Sequence, residues 1–323
     1  MHSLSAGSAT GLFVKACRAI RAHGTPVAPR GLHTTELLGA HLRLARPRYR
    51  FVDATPARML NPAFAAAEAV WILSGSDDPW IFTFNERLRR FADHGRLQGA
   101  YGPRLRNWSG CDQLDTVRRV LEGDGASRQA MIQLFDPARD FAGYRDVPCT
   151  LGYRFYVRSG RLVMFTTMRS QDVWLGLPYD IFTTTVLQEL LAGWLEVQLG
   201  DYHHLVDSLH LYDQHAEHAA VADQPAADAG AEQPSLRVPW EDFDAMLAQI
   251  IAGEAVGHGG WDDFATVLAS YRLWKDGEFD NARALLRPTG GPLSSALARW
   301  YELLNTAPGR IAPAPVAGTG RLA

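Results

Sequence analysis

The sequence predicts an α+β fold, a mostly β core with covering helices, in one domain over residues 1–323. Three observations carry this. The stretch "TLGYRFYVRSGRLVMFTTMRSQDV" (150–173) alternates in period two around "RSG", the pattern of a β-hairpin. Two stretches, "NPAFAAAEAVWILSG" (61–75) and "YDIFTTTVLQELLAGWLEVQLG" (179–200), are apolar nearly all round and read as buried helices. No internal repeat or linker divides the chain.

Taken in order, "ATGLFVKACRAIRAHG" has helical periodicity and stops at Gly24. The first buried helix carries a single charge, Glu68. "DQLDTVRRVLEGD" is an amphipathic helix, and "RQAMIQLF" (128–135) reads as a strand. After the hairpin and the second buried helix, "DYHHLVDSLHLYDQH" is extended. "ADQPAADAGAEQPS" is Ala/Pro-rich and polar, so a surface insert is expected over about 221–238. Region 239–307 is mostly helical in pattern, and the tail over about 307–323 reads as irregular or mobile.

Composition narrows the function class. A formal net charge of -3 gives no general electrostatic reason to expect nucleic-acid or membrane binding. The three cysteines form no CxxC pair, which fits a reducing cytosol, and a cytoplasmic location is expected. Lys15 and Arg18 interrupt the N-terminal apolar stretch, so it reads as a helix rather than a signal peptide. No stretch approaches the ~20 apolar residues of a membrane span.

Ionisable groups inside apolar elements are the informative ones. Glu68 is expensive to bury unless paired or functional; taken alone, a surface-facing or salt-bridged glutamate is as good a reading as a functional one. Cys149, in "DVPCTLGYRF", has proline before it and a strand after it, a perch suited to a nucleophile. A lone cysteine there is more often a small buried hydrophobe, and a thiolate needs electropositive neighbours. Arg169 and Ser170 set a guanidinium beside a hydroxyl at a strand end, which suits a phosphate. His210 and Tyr212 alternate onto one face of an extended segment. His203 and His204 are adjacent, so they point to opposite faces, and no metal site is expected.

In this order and spacing, Cys149 after proline, the hairpin, "RSQDVWLGLPYD", the long apolar helix, "GDY" and "HLYDQH" resemble the thymidylate synthase family. "AEAVWILSGSDD" is similar to that family's glutamate-bearing helix, and "ADHGRLQGAYGPRLRNW" to its tyrosine-glycine segment, which contains Tyr101. The resemblance covers roughly residues 27–220, is most specific from 147 to 215, and is loose in the C-terminal third.

The resemblance implies a three-layer fold and a homodimer whose two sites share residues. It implies a nucleoside monophosphate substrate and 5,10-methylenetetrahydrofolate as one-carbon donor. Cys149 then matches the nucleophile that adds to C6 of the pyrimidine, with Tyr101 beside it. Glu68 matches the carboxylate that organises water and moves protons. Arg169, Ser170 and Arg30 match phosphate ligands, and Arg128 matches an arginine donated by the partner subunit. His210 and Tyr212 match the pair on the sugar 3′-hydroxyl, and Asp172 the carboxylate that anchors the pterin.

Thymidylate synthases carry asparagine where this chain has Asp180. An amide offers a donor and an acceptor to the N3–H and O4 of uracil; an ionised carboxylate only accepts. Cytosine presents an amino donor where uracil presents O4, so aspartate favours cytosine. Within the family this resembles the cytidylate 5-hydroxymethylase branch, in which water rather than hydride completes the reaction. In keeping with that, "ERLRRFADHG" sets arginines and Leu88 where synthases have a tryptophan-rich folate wall. Gln129 and Thr150 also depart from the synthase pattern. Some relatives act on CMP in nucleoside antibiotic biosynthesis, others on dCMP; the residues leave both open. The rival expectations are a thymidylate synthase acting on dUMP and a non-catalytic nucleotide- or RNA-binding relative.

Overall fold

A computed structural model describes residues 2–222, 231–287 and 290–306. The chain opens with strand β1 (His2–Ala6) and helix α1 (Ala9–His23), followed by β2 (Thr25–Val27) and β3 (Thr34–Leu44). A small ladder of β4 (Asp53–Ala54) and β5 (Arg58–Met59) precedes α2 (Pro62–Leu73). Next come α3 (Ile81–Phe84), α4 (Tyr101–Arg106), α5 (Gln113–Gly123), β6 (Met131–Gln133) and α6 (Pro137–Asp140). The hairpin β7 (Thr150–Arg158) and β8 (Arg161–Asp172), helix α7 (Leu177–Trp194) and β9 (Gln198–Tyr212) follow. Helices α8 (Ala216–Val221), α9 (Phe243–Ala252), α10 (Gly259–Lys275), α11 (Phe279–Leu286) and α12 (Pro292–Thr306) complete the described residues.

The hairpin closes as its sequence requires. Arg158 pairs with Arg161, and the two turn residues, Ser159 and Gly160, both take left-handed backbone (φ 50° and 69°). The main sheet runs β1-β3-β9-β8-β7-β6, with β2 also on β3. β1–β3 and β8–β9 are parallel and the other pairs antiparallel. A parallel pair needs a crossover, and α7 supplies the one between β8 and β9.

Helices α1 and α7 pack on one sheet face, α2 packs on α7, and α10 on α2, which makes three layers. Leu162, Met164 and Met168 of β8 and Tyr202 and Val206 of β9 are buried beneath α7. The other face is only half-buried along the row Arg154, Phe165 and His203, and Met131 at its edge is 53% exposed.

Alternation breaks at one level across three strands. The buried residues step from Ala40 to Leu37, from Val206 to Leu209 and from Met168 to Gln171, odd intervals that period two forbids. Gly39, at this level of β3, adopts φ 70°, a conformation that costs glycine nothing. Beyond the kink β8 and β9 re-aim their side chains, which turns Gln171 inward.

Three boundaries differ from the sequence reading. The strand expected over 128–135 is confined to Met131–Gln133. The second buried helix ends at Trp194, because Glu196 takes a left-handed φ of 54° and the chain then enters β9. Of the expected insert, residues 223–230 lie outside the described residues, as does the tail 307–323. Residues 231–238 are irregular but not superficial: Gln233 and Leu236 are 6% and 2% exposed. The Leu236 amide donates to Glu189 Oε1 at 3.2 Å, which explains the burial.

Glu189 sits in α7 and forms a buried ion pair with Arg50, both under 2% exposed. Removing one partner leaves a charge in the core, so Glu189→Gln should cost about 3–5 kcal/mol in urea unfolding. A loss below about 1 kcal/mol would show that the pair does not hold α7 in place.

Candidate active site

Cys149 ends the loop before β7 and is half-buried. Its carbonyl accepts from the Arg169 amide at 2.9 Å. The Arg169 guanidinium donates to the carbonyls of Pro148 (2.9 Å) and Val147 (3.0 Å), so an exposed arginine grips the loop that carries Cys149. The Thr150 amide and hydroxyl donate to the Tyr101 hydroxyl at 3.2 and 3.1 Å, tying α4 to the start of β7. Burial pushes the Cys149 thiol up; Arg169 and Arg30 oppose it, while Asp180 and Asp146 reinforce it. The resting sulfur therefore keeps its proton near neutral pH.

Glu68 is the one residue of α2 that is not fully buried. Burial, with Asp180 adding to it, pushes its carboxyl up to about 8. Asp180 lies in the first turn of α7, and burial pushes it up to about 6 against the hydrogen bond from Gln171 Nε2 to Oδ2 at 2.8 Å. Near neutrality the two carboxyls hold different states, Glu68 protonated and Asp180 ionised. Such a split assigns a proton donor and an acceptor within one site. Tyr101, Tyr153 and Tyr202 each feel the Asp180 charge, so they surround the same space.

The remaining residues flank this centre. His210 and Tyr212 meet edge to face, with ring centroids 5.2 Å apart, which places both on one side of β9 as alternation requires. Tyr212 lies in the field of Asp172, Arg30, Cys149 and Arg90 and links the two halves of the site. Asp172 Oδ1 accepts from the amides of Trp174 (2.7 Å) and Leu175 (3.0 Å). Burial raises its pKa, opposed by those bonds, His210 and Arg58. Ser170 is half-buried on β8. Arg30 is exposed at a left-handed φ of 55°.

Arg128 is exposed just before β6 and is not among the charges that act on Cys149. Arg30, Asp172, Cys149, Asp180 and Glu68 act electrostatically on one another or on Tyr101 and Tyr212, with His210 beside Tyr212 and Arg169 on the Cys149 loop; Arg128 stands apart from this group.

Other residues of the centre escape the sequence reading. Gln171 and His204 touch Asp180 directly and at one remove. Arg58 and Arg87 stand beside Tyr179, and burial lowers the Arg87 pKa, with Arg90 and Arg58 contributing. Asp146 accepts from the Gly99 amide at 3.0 Å beside Cys149. The signal for Gln171 is its place between Ser170 and Asp172; the kink hides its direction.

A thymidylate synthase family model matches residues 12–250. The chain belongs to the thymidylate synthase family. It is 31% identical over 263 residues to a deoxyuridylate hydroxymethyltransferase of Bacillus phage SP01, covering 76% of this chain and 68% of that one. It is also 30% identical over 137 residues to a thymidylate synthase of Mycoplasma genitalium, covering 42% of this chain and 46% of the other. The family comprises one-carbon transferases that act on pyrimidine nucleotides with methylenetetrahydrofolate, and the split carboxyls and the cysteine fit that chemistry. No helix among the described residues is long and apolar enough to cross a membrane.

The elevated Glu68 makes stability depend on pH in a defined direction. Its folded pKa of about 8 lies above the ordinary 4.5, so its contribution is fully present below pH 4.5 and lost as pH rises through 8. Glu68→Gln should therefore gain Tm relative to the parent, by at least about 2 °C, between pH 5 and 8.5. A difference in Tm that stays constant across that range would place Glu68 in water.

Proposed function

We propose that this enzyme is a cytidylate 5-hydroxymethyltransferase. The reaction joins cytidylate, 5,10-methylenetetrahydrofolate and water to give 5-hydroxymethylcytidylate and tetrahydrofolate, with no net redox change. The observation that carries the reading is Asp180, ionised near neutrality and bonded on one oxygen by Gln171. A carboxylate in that state accepts from the amino group of cytosine and repels O4 of uracil.

The residues divide the work. Cys149 loses its proton and bonds to C6, which makes C5 nucleophilic. Arg169, Ser170 and Arg30 take the phosphate, whose charge complements guanidinium groups. His210 and Tyr212 take the 3′-hydroxyl, which CMP and dCMP share. Tyr101 stands between Thr150 and the base, and protonated Glu68 supplies and recovers a proton.

Folate supplies a one-carbon unit at the oxidation level of formaldehyde. The fit rests on Asp172, whose Oδ1 is held by two amides, orienting the half-buried carboxylate toward N–H donors of the pterin. Arg87 and Arg90 stand on the adjoining segment, and such polar walls admit water beside the base.

The half-buried sheet face supports a homodimer, in which Arg128 of the partner subunit completes the phosphate site. The sparse cysteines, with no CxxC pair, support a cytosolic location. A second reading, hydroxymethylation of uridylate, is favoured by the name of the phage relative.

Initial rates with dCMP, CMP, dUMP and UMP, with products identified by mass, separate the readings. Cytidylate should dominate and its product should carry oxygen from labelled water; preference for uridylate would overturn the assignment. Asp180→Asn should lower kcat/KM for cytidylate and raise it for uridylate. Discrimination of this kind runs to about 10⁴-fold where a buried polar edge is left unpaired. An unchanged preference would make Asp180 structural.

The shared site has its own test. Neither Arg128→Ala nor Cys149→Ser homodimers should turn over at the parental rate, but mixed heterodimers should regain activity through one intact site. No recovery after verified subunit exchange would count against donation across the interface.

A further inference from the structure

Behind Asp180 lies a chain of buried polar groups that the proposed reaction does not use. Gln171 Nε2 donates to Asp180 Oδ2 at 2.8 Å, and Gln171 Oε1 lies 2.9 Å from His204 Nε2. His204 Nδ1 lies 2.6 Å from the Tyr202 hydroxyl, itself 3.0 Å from Thr166 Oγ1. Gln171 is 3% exposed and His204, Tyr202 and Thr166 are fully buried, so bulk water does not substitute for any member.

We infer that Gln171, oriented by His204 and Tyr202, is the positioning residue that fixes Asp180 as a hydrogen-bond acceptor and so sets the preference for cytosine. The inference rests on the cytidylate reading. An ionised Asp180 requires the NH₂ end of Gln171, which turns the amide oxygen to His204. His204 must then carry its proton on Nε2 and turn its Nδ1 lone pair to the Tyr202 hydroxyl, whose one proton also lies within reach of Thr166 Oγ1. The opposite polarity sets the amide oxygen against Asp180, which is tolerable only if Asp180 is protonated, the state that would donate to uracil O4. Burial keeps His204 neutral, with its pKa pushed down to about 3, as a two-way imidazole requires.

Glycine at position 176 is a second, independent sign. A Cβ there would meet Gln171 Nε2 at 2.6 Å, so only glycine leaves the amide room to reach Asp180. The severe clash is with the far end of a side chain, and the Asp172 carbonyl is next at 3.3 Å, so an alanine would displace the amide first.

The test is the ratio of kcat/KM for cytidylate over uridylate, measured by internal competition. Gln171→Met, close in shape but without the amide, should lower the ratio about ten- to a hundredfold, and Gly176→Ala should lower it in the same direction. Neither should move the ratio in an Asp180→Asn background. If Asp180→Asn lowers the ratio but Gln171→Met leaves it unchanged, or acts equally in both backgrounds, the inference is overturned while the base assignment stands. If Asp180→Asn itself has no effect, the base assignment fails and this inference with it. Should Gln171→Met not fold, ¹⁵N shifts of the histidine rings in the parental enzyme decide the polarity. His204 should be the Nε2–H tautomer; the Nδ1–H tautomer overturns the relay.

Discussion

A carboxylate in the mostly apolar first turn of α7 must be supplied with donors, and that requirement at the half-buried Asp180 organises the centre of this enzyme. The donor comes from Gln171, which is inward only because β8 breaks its alternation after Met168. The same break places Arg169 where its amide and guanidinium hold the Cys149 loop. One irregularity, repeated at the same level in β3 and β9, thus aligns Cys149, Arg169 and Asp180, the residues proposed to attack the base, hold the phosphate and read the base. Helix α7 brings Asp180 to this point and is anchored further along by the Arg50–Glu189 pair.

The charge pattern around the centre is graded. Burial, with Asp180 and Asp146 adding to it, keeps the resting Cys149 thiol protonated, while Arg169 and Arg30 draw the sulfur toward thiolate. Glu68, pushed up by burial and by Asp180, stays protonated beside it. A site in which one acid is charged and its neighbour is not has both a fixed acceptor and a mobile proton. Arginines on the Glu86–Phe91 segment add positive potential beside Tyr212, which suits the anionic nucleotide of the proposed reaction.

Much of this is legible in the chain. The hairpin, the two apolar helices and the cysteine loop follow from hydrophobic period and turn chemistry, and the order of motifs points to the family and to nearly all the clustered site residues. The rest depends on geometry. β3 does not read as a strand because Gly39 and the neighbouring Leu37–Leu38 pair disrupt the alternation. Gln171 and His204 look like ordinary strand residues; their contact needs the parallel pairing of β8 with β9, which no local pattern encodes. Arg50 and Glu189 are 139 positions apart, so their pairing too is invisible in sequence.

The central claim is that the charge on Asp180 chooses the base. Its most direct test is the competitive ratio of kcat/KM for cytidylate over uridylate between pH 5 and 8. Internal competition cancels the ionisation of Cys149 and Glu68 and the binding of folate, which act on both substrates, and leaves the group that tells them apart. With Asp180 titrating at about 6, the ratio should fall as pH drops through that value and the carboxyl becomes a donor. A ratio that is flat across the range, or that rises in acid, would contradict the account.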